Sequence, residues 1–187
     1  MSDVWTSGDA YEVYVGRWSR RVADEFLKWI AVPGGGGWLD LGCGTGELTR
    51  AILDRCQPMG VTGVDPSRAF LALALERTSD RRAEFREGDA QALPFEDARF
   101  DAAVSGLVLN FVPEPERGVS EMARVTRGGG TVAAYVWDYA GKMEMIRCFF
   151  DAAVTLDPAA ADVDVRVSLP DLQPQGTSSA VHERGAK

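Results

Sequence analysis

One stretch constrains the fold of this chain more than any other: Trp38-Leu-Asp-Leu-Gly-Cys-Gly-Thr-Gly-Glu-Leu-Thr49. A short apolar run leads into glycines at alternate positions and then into a helical pattern, which predicts a strand, a tight turn and a helix start. Gly42, Gly44 and Gly46 carry no Cβ atom, and the free N–H groups of the helix start face the turn. The stretch therefore predicts a site for a nucleotide-like ligand; the alternative is a glycine-rich turn that binds nothing.

Strand and helix patterns alternate along the rest of the chain. Apolar strand patterns occur at about residues 38–41, 59–64, 83–87, 100–105 and 131–137, and helical periodicity separates several of them. This alternation predicts an α/β fold with a mainly parallel sheet of at least five strands. A helix at about residues 17–31 is expected to cover the sheet, with Trp18, Val22, Phe26, Trp29 and Ile30 on one stripe.

Composition excludes several classes of function. The 187 residues suit one domain, and 20 basic against 28 acidic residues give a net charge of −8, which argues against a nucleic-acid partner. Cys43, Cys56 and Cys148 show no CxxC spacing, so neither a zinc site nor a disulfide framework is predicted. No apolar run is long enough for a membrane span and no export signal precedes the domain, so we expect a cytoplasmic protein.

The spacing of the glycines distinguishes between cofactors. A dinucleotide fingerprint reads GxGxxG, whereas Glu47 stands here at the position of its third glycine, which disfavours a nucleotide-dependent oxidoreductase. The pattern Asp40-x-Gly42-x-Gly44-x-Gly46 closely resembles the first motif of the class I S-adenosylmethionine (SAM) dependent methyltransferases. The resemblance implies a Rossmann-like three-layer sandwich, SAM as cofactor, S-adenosylhomocysteine as product and no metal. It further implies that the loop backbone, Cys43 included, contacts the amino-acid end of SAM and that Asp40 helps to place it.

Two further strand ends match the same family. Asp65, followed by Pro66 and Ser67, stands where relatives place the acid that accepts both ribose hydroxyls; the alternative is that Asp65 only caps the next helix. Asp89 and Ala90 resemble the adenine-binding segment, in which the carboxylate takes the exocyclic amine proton and the N–H of Ala90 meets a ring nitrogen. The alternative for Asp89 is an ordinary solvated acid in a turn.

The segment after the fourth strand, residues 105–113, resembles the family motif that lies beneath SAM and borders the acceptor site. Ser105 and Leu107 are expected to contact the cofactor. Asn110 stands where relatives often carry a histidine, and its neutral amide would orient an acceptor rather than remove a proton. A purely packing role for this segment is the alternative.

Other residues of the expected site lie after the fifth strand and in the N-terminal segment. Trp137 and Asp138 follow the fifth strand and are expected to line the substrate mouth, and Tyr14 is expected to close over SAM. No catalytic base is identified, because the only histidine, His182, lies in a weakly patterned tail.

The resemblance covers about residues 11–157. We take residues 1–157 as the SAM-binding methyltransferase domain and residues 158–187 as a weakly patterned or disordered tail. Complete relatives finish their sheet with an antiparallel strand pair, which we expect to be absent or incomplete here. Strand five would then be an exposed edge that favours a homodimer. The expected function is in-line methyl transfer from SAM to a small-molecule acceptor; the alternatives are SAM binding without turnover and, less favoured, oxidoreduction.

Overall fold

The computed structural model describes residues 17–139 and 143–164, and the chain divides into two compact units, Met1–Val136 and Trp137–Lys187. Helices and strands alternate in the first unit. Its elements are α1 (Arg17–Ile30), β1 (Gly37–Leu41), α2 (Glu47–Arg55), β2 (Gly60–Asp65), α3 (Arg68–Arg77), β3 (Ala83–Glu87), β4 (Phe100–Gly106), a 3-10 turn (Leu109–Phe111), α4 (Pro115–Val125) and β5 (Thr126–Tyr135). The second unit contains α5 (Glu144–Leu156) and a 3-10 helix (Pro158–Val163).

Five strands form one sheet in the order β3-β2-β1-β4-β5, and every pairing is parallel. The predicted parallel α/β fold of at least five strands is therefore confirmed. β1 lies at the centre, with Asp40 opposite Gly63 of β2 and Val104 of β4. Because all strands run the same way, their carboxyl ends meet at one edge of the sheet.

Both faces of the sheet are covered, as expected for three layers. On one face, Ala23, Phe26 and Leu27 of α1 pack with α2 against a buried cluster that includes Trp38 and Val61. On the opposite face, Val64 lies under Gly88 and the segment that follows β3, since successive side chains of a strand alternate between faces. The predicted covering helix is thus present, but its buried stripe differs: Val22 and Trp29 are exposed, at 42% and 70%.

β5 begins earlier than its sequence suggested. The sequence pattern places the start of this strand at about residue 131, yet the strand already starts at Thr126. Gly129 has a φ of 77°, and the pairing with β4 shifts register between Phe100 and Ala102. Glycines inside a strand permit such an irregularity, because they tolerate backbone angles that a Cβ atom disfavours. The predicted start of this strand was therefore wrong, and the glycines form a distorted start of β5.

The second unit contains helix α5, and the apolar side of this helix is only partly buried. Phe150 is buried, whereas Met145 and Phe149 are exposed at 66% and 63%. Residues 158–163, which were assigned to the weakly patterned tail, form a 3-10 helix whose first turn is capped by Asp157. Residues 165–187 of the expected tail lie outside the described residues.

Candidate cofactor-binding site

The glycine loop lies at the point where the strand order reverses. β1 is flanked by β2 on one side and by β4 on the other, and the chain leaves β1 directly into Gly42-Cys43-Gly44-Thr45-Gly46. In open parallel sheets this crevice, above the carboxyl ends of the strands, is where ligands bind. The ends of β2, β3 and β4 carry Asp65, Asp89 and Ser105, so the topology brings these predicted residues to the same edge as the loop.

Glycine occupies these three positions for different physical reasons. All three have a positive φ, at 71°, 52° and 84° for Gly42, Gly44 and Gly46. A Cβ atom on Gly42 would lie 2.5 Å from Cγ2 of Val108, so this glycine is required by packing within the protein. A Cβ atom on Gly46 would approach Ala74 of α3 at 3.3 Å. Only a Cβ atom on Gly44 would meet nothing within 4 Å. Close approach of a ligand to the backbone is therefore an explanation for Gly44 alone.

Hydrogen bonds within the protein fix the shape of the loop. The N–H groups of Gly42 and Cys43 both donate to the carbonyl of Val64, at 2.7 and 3.0 Å, and the N–H of Gly46 donates to the carbonyl of Cys43 at 2.8 Å. The Cys43 side chain is buried against Gly63, where a Cβ atom would lie 2.9 Å from its sulfur. Burial raises the pKa of this thiol well above its ordinary value. Cys43 thus packs inside the protein, and its contact with a cofactor stays a prediction.

Asp65 ends β2 and connects directly to the glycine loop. Its Oδ2 accepts the N–H of Gly44 at 3.0 Å, and its Oδ1 accepts the N–H of Ser67 at 2.8 Å. The helix that follows is capped by Ser67, whose Oγ accepts the N–H of Phe70, so Asp65 is not the N-cap residue. Burial raises the pKa of Asp65, and the two backbone hydrogen bonds oppose that rise. Each carboxylate oxygen retains a second lone pair for a further donor.

Asp40 lies beneath the loop and is 1% exposed. Its Oδ2 accepts the hydroxyl of Thr49 at 2.6 Å, while its Oδ1 has no hydrogen-bond partner among the described residues. Burial raises the pKa of this carboxyl to about 7, and the charge of Asp65 contributes in the same direction. Thr49 was not identified from the sequence as part of the site, because nothing in its helical pattern points to Asp40.

Asp89, by contrast, is exposed and held by a single neighbour. Its Oδ1 accepts both the backbone N–H of Gln91, at 2.9 Å, and the side-chain amide Nε2 of Gln91, at 3.2 Å. These bonds lower the pKa of Asp89 below its ordinary value, so the group is a carboxylate at neutral pH. Ala90 follows directly and is half-buried. Gln91 was not among the residues predicted for the site.

Helix α4 holds the segment that carries Asp89. Oε2 of Glu121 accepts the N–H of Leu93 at 2.7 Å, and the guanidinium of Arg124 donates to the carbonyls of Leu93 and Phe95, at 3.1 and 2.8 Å. Arg124 also pairs with Glu121 and Asp97. A stretch without regular secondary structure thereby gains a fixed path beside the sheet edge.

The end of β4 is more deeply buried than the sequence suggested. Ser105 is fully buried and donates its hydroxyl to the carbonyl of Leu41 at 2.9 Å, which joins β4 to β1 just below the loop. Leu107 is 9% exposed and has a φ of 62°, and its N–H donates to the carbonyl of Tyr135. Asn110 is 3% exposed. All three residues are buried, and contact with cofactor or acceptor stays a prediction for each.

Three predicted residues lie in the second unit or outside the described residues. Trp137 and Asp138 belong to the second unit, where the rings of Trp137 and Tyr139 lie 6.2 Å apart. Tyr14 lies outside the described residues, and so does His182. Pro66, also predicted to contact the cofactor, is exposed beside Ser67.

The donor and acceptor groups at this edge fit SAM. Gly44 leaves open space beside the backbone, and Asp65 and Asp89 present acceptor oxygens at the ends of two adjacent strands. In the described ranges, no group of three His, Cys, Asp or Glu side chains has the arrangement of a metal site. None of the helices in those ranges combines the length and apolar character that crossing a bilayer requires.

Comparison with known proteins identifies the family. Residues 39–134 match the model of the methyltransferase domain family. The chain is 43% identical over 102 residues to a phosphatidylethanolamine N-methyltransferase of Cereibacter sphaeroides, covering 52% of this chain and 49% of the relative. It is 38% identical over 111 residues to a demethylmenaquinone methyltransferase of Bacillus licheniformis, covering 58% and 48%. The chain thus spans about half the length of the curated relatives it matches.

Solved structures show the same fold. A chain of the structure described as the complex between the Haloferax volcanii Trm112 methyltransferase activator and a methyltransferase superposes with a TM-score of 0.67 at 25% identity, covering 78% of this chain and 68% of that one. The [4+2]-cyclase SpnF superposes with a TM-score of 0.55 at 33% identity, covering 60% and 43%. Members of this fold therefore include an enzyme described as a cyclase.

Proposed function

The chain belongs to the methyltransferase domain family, and from that premise we propose that it binds SAM and transfers its methyl group to a small-molecule acceptor. The observation that carries the proposal is the arrangement of Asp65 and Gly44. The carboxylate at the end of β2 is bonded to the one loop glycine that faces open space, so an acceptor for ribose hydroxyls stands beside an approachable backbone. When bound, SAM supplies an electrophilic methyl group that the acceptor takes by in-line displacement, and S-adenosylhomocysteine leaves.

The residues of the chain hold and orient the ligands in this proposal. The loop backbone at 42–46 borders the amino-acid end, Asp65 accepts the ribose hydroxyls, and Asp89 with the N–H of Ala90 reads the adenine edge. The described site shows no acid–base pair, and positioning of the reactants accounts for a large part of the rate enhancement in such transfers, on the order of 7–11 kcal/mol where the fit is ideal. Asn110 is proposed to orient the acceptor with its amide.

We propose a lipid or quinone as the acceptor class. Two of the relatives are named for phosphatidylethanolamine and for demethylmenaquinone, both of which join a polar reactive group to an apolar chain. The three free cysteines support the expectation of a reducing, cytoplasmic compartment. The net charge of −8 supports the expectation that nucleic acid is not a partner.

Calorimetry with SAM tests the binding step. Wild type is expected to bind, and Asp65→Ala is expected to weaken binding by about 10-fold to 100-fold, because charge-assisted hydrogen bonds to the ribose are lost. Glu25→Gln, an exposed acid on α1, serves as the matched control and should bind as wild type does. Equal affinity of Asp65→Ala and wild type would contradict the proposed ribose contact.

Release of S-adenosylhomocysteine tests turnover. Phosphatidylethanolamine vesicles and a soluble demethylmenaquinone analogue are the first acceptors. Buffer without acceptor and the Asp65→Ala variant are the controls. Product with either acceptor supports the proposed class. Tight SAM binding without product from a broad metabolite panel would instead favour the second candidate, a SAM-binding protein without methyl transfer. The likeness to a cyclase of this fold is the observation that favours this candidate.

A further inference from the structure

We propose that Gln91 is a positioning residue for adenine recognition, which orients the Asp89 carboxylate so that its Oδ2 accepts the 6-amino group of the adenine ring. The inference rests on the proposed function, since it requires SAM to bind with its adenine beside Asp89. It assigns a role to a side chain that lies between the Asp89 segment and the start of α4.

The orientation of the Gln91 amide follows from its partner on one side. The backbone N–H of Glu114 lies 3.1 Å from Oε1 of Gln91. A peptide N–H can only donate a hydrogen bond, so the amide oxygen must face Glu114 and the amide nitrogen must face the opposite way. On that opposite side Nε2 lies 3.2 Å from Oδ1 and 3.4 Å from Oδ2 of Asp89. The start of α4 therefore fixes which end of Gln91 meets the carboxylate.

The same contacts make the two oxygens of Asp89 unequal. Oδ1 accepts two donors from Gln91, the backbone N–H at 2.9 Å and Nε2 at 3.2 Å. Among the described residues, Oδ2 receives only the longer contact at 3.4 Å, and Asp89 is exposed. Oδ2 thus keeps accepting capacity toward solvent or a ligand. An ionised carboxylate accepts hydrogen bonds and cannot donate them. It therefore binds an amine N–H and forms no hydrogen bond with a ring that lacks the amino group.

Gln91 is half-buried, which restricts the position from which its side chain contacts Asp89. Its side chain is less exposed than Asp89, and it joins the exposed carboxylate to a helix start that packs on the sheet. Recognition groups discriminate well when neighbouring hydrogen bonds hold them in one rotamer. Without the amide, Asp89 would keep its backbone contact to Gln91 and lose its tie to α4.

The test measures a ratio of two affinities rather than one affinity. Calorimetry would compare S-adenosylhomocysteine with its 6-deamino analogue, in which hydrogen replaces the amino group and the ring nitrogen that meets Ala90 is kept. Wild type is expected to prefer the amino compound by about tenfold, as for one hydrogen bond to a charged group. In Gln91→Met, which is similar in size and has no amide, the preference is expected to fall to about twofold. Gln57→Met, an exposed glutamine before β2, is the matched control and should keep the wild-type ratio.

The outcomes separate this inference from the proposed function. Failure of wild type to bind S-adenosylhomocysteine would overturn the proposed function and the inference with it. Binding with a wild-type ratio near one would overturn the adenine contact of Asp89 and leave no discrimination for Gln91 to support. A wild-type ratio of about ten that persists in Gln91→Met would overturn the role of Gln91 alone. A general loss of packing in Gln91→Met would weaken both compounds equally and leave the ratio unchanged.

Discussion

Burial changes the chemistry of a single carboxyl at Asp40. The side chain is almost wholly buried, only one of its oxygens has a partner among the described residues, and its pKa is raised to about 7. The folded protein therefore binds a proton here more tightly than the unfolded chain does. The stabilising contribution of the protonated carboxyl is complete below about pH 4 and is lost as the pH rises through about 7.

Asp40→Asn should separate this contribution from the others. The amide keeps an oxygen to accept the Thr49 hydroxyl and carries no charge at any pH, so the variant should gain stability over wild type as the pH rises. We expect the difference in unfolding free energy to grow by about 2–4 kcal/mol between about pH 5 and pH 8. Urea unfolding of both proteins across that range measures it. A difference that stays constant with pH would contradict the raised pKa.

The loop glycines offer a matched pair of alanine variants. Gly42→Ala combines a positive φ with a clash against the branched, stiff side chain of Val108, and should cost about 2–4 kcal/mol of stability. Gly44→Ala also has a positive φ but meets only open space, so it should cost about 1–2 kcal/mol. Thermal and urea unfolding compare the two. Equal losses would show that Val108 yields to the added methyl group.

At the level of secondary-structure elements, α4 holds an irregular segment in place. Arg124 donates to two carbonyls of residues 93–95, and Glu121 accepts the N–H of Leu93. The position of Asp89 beside the crevice thus depends in part on a helix that comes after β4 in the chain.

Arg124→Met should therefore weaken a site that Arg124 does not touch. We expect about threefold to tenfold weaker binding of SAM, together with a lower melting temperature, because two main-chain carbonyls lose their donor. Lys28→Met removes an exposed ion pair on α1 and is the control. Calorimetry and a thermal melt report the two effects, and unchanged affinity in a destabilised Arg124→Met would limit the role of Arg124 to stability.

The local hydrophobic pattern predicted the bounds of helices and strands well where an element buries one face and exposes the other. β3 was placed at its observed limits, Ala83–Glu87, and helix α1 within a residue. The start of β5 was missed because glycines usually mark turns, whereas pairing with β4 here draws Thr126 and its neighbours into the strand. The exposed Trp29 was expected in the core, since periodicity alone does not say where a covering helix stops touching the sheet.

The sequence indicates candidate site residues where they follow strands, and it gives no indication of residues that act through distant partners. Asp65 and Asp89 were proposed from their positions after β2 and β3, and the structure brings both to the carboxyl ends of the sheet. Thr49, Gln91 and Val108 were missed, since each acts through a contact that only the tertiary structure defines: with Asp40, with Asp89 and Glu114, and with Gly42. Sequence order carries no direct signal for such pairs.

At the scale of the whole molecule, β5 is one of the two edge strands of the sheet within the described residues. In the described sheet this strand pairs only with β4, and Val132 on it is 40% exposed. An unpaired edge of this length offers free backbone groups to another strand. We therefore retain the proposal of a homodimer formed across β5.

Light scattering on the full chain tests the homodimer. Wild type should show about twice the mass of one chain at high concentration, and Val132→Lys should show the mass of one chain, because a charge on the edge opposes strand addition. Val119→Lys, on an exposed valine of α4, is the control and should remain dimeric. A single-chain mass for wild type at high concentration would exclude the dimer.

The contact between Val108 and Gly42 restricts how this domain can be re-engineered. A side chain from the segment after β4 fills the space that a Cβ atom would occupy on the first loop. Grafting the 105–113 segment of another enzyme onto this domain would thus also replace the surface on which the glycine loop rests. A successful chimera needs, at position 108, a residue from the grafted enzyme that packs against Gly42. Libraries should therefore vary positions 42 and 108 together.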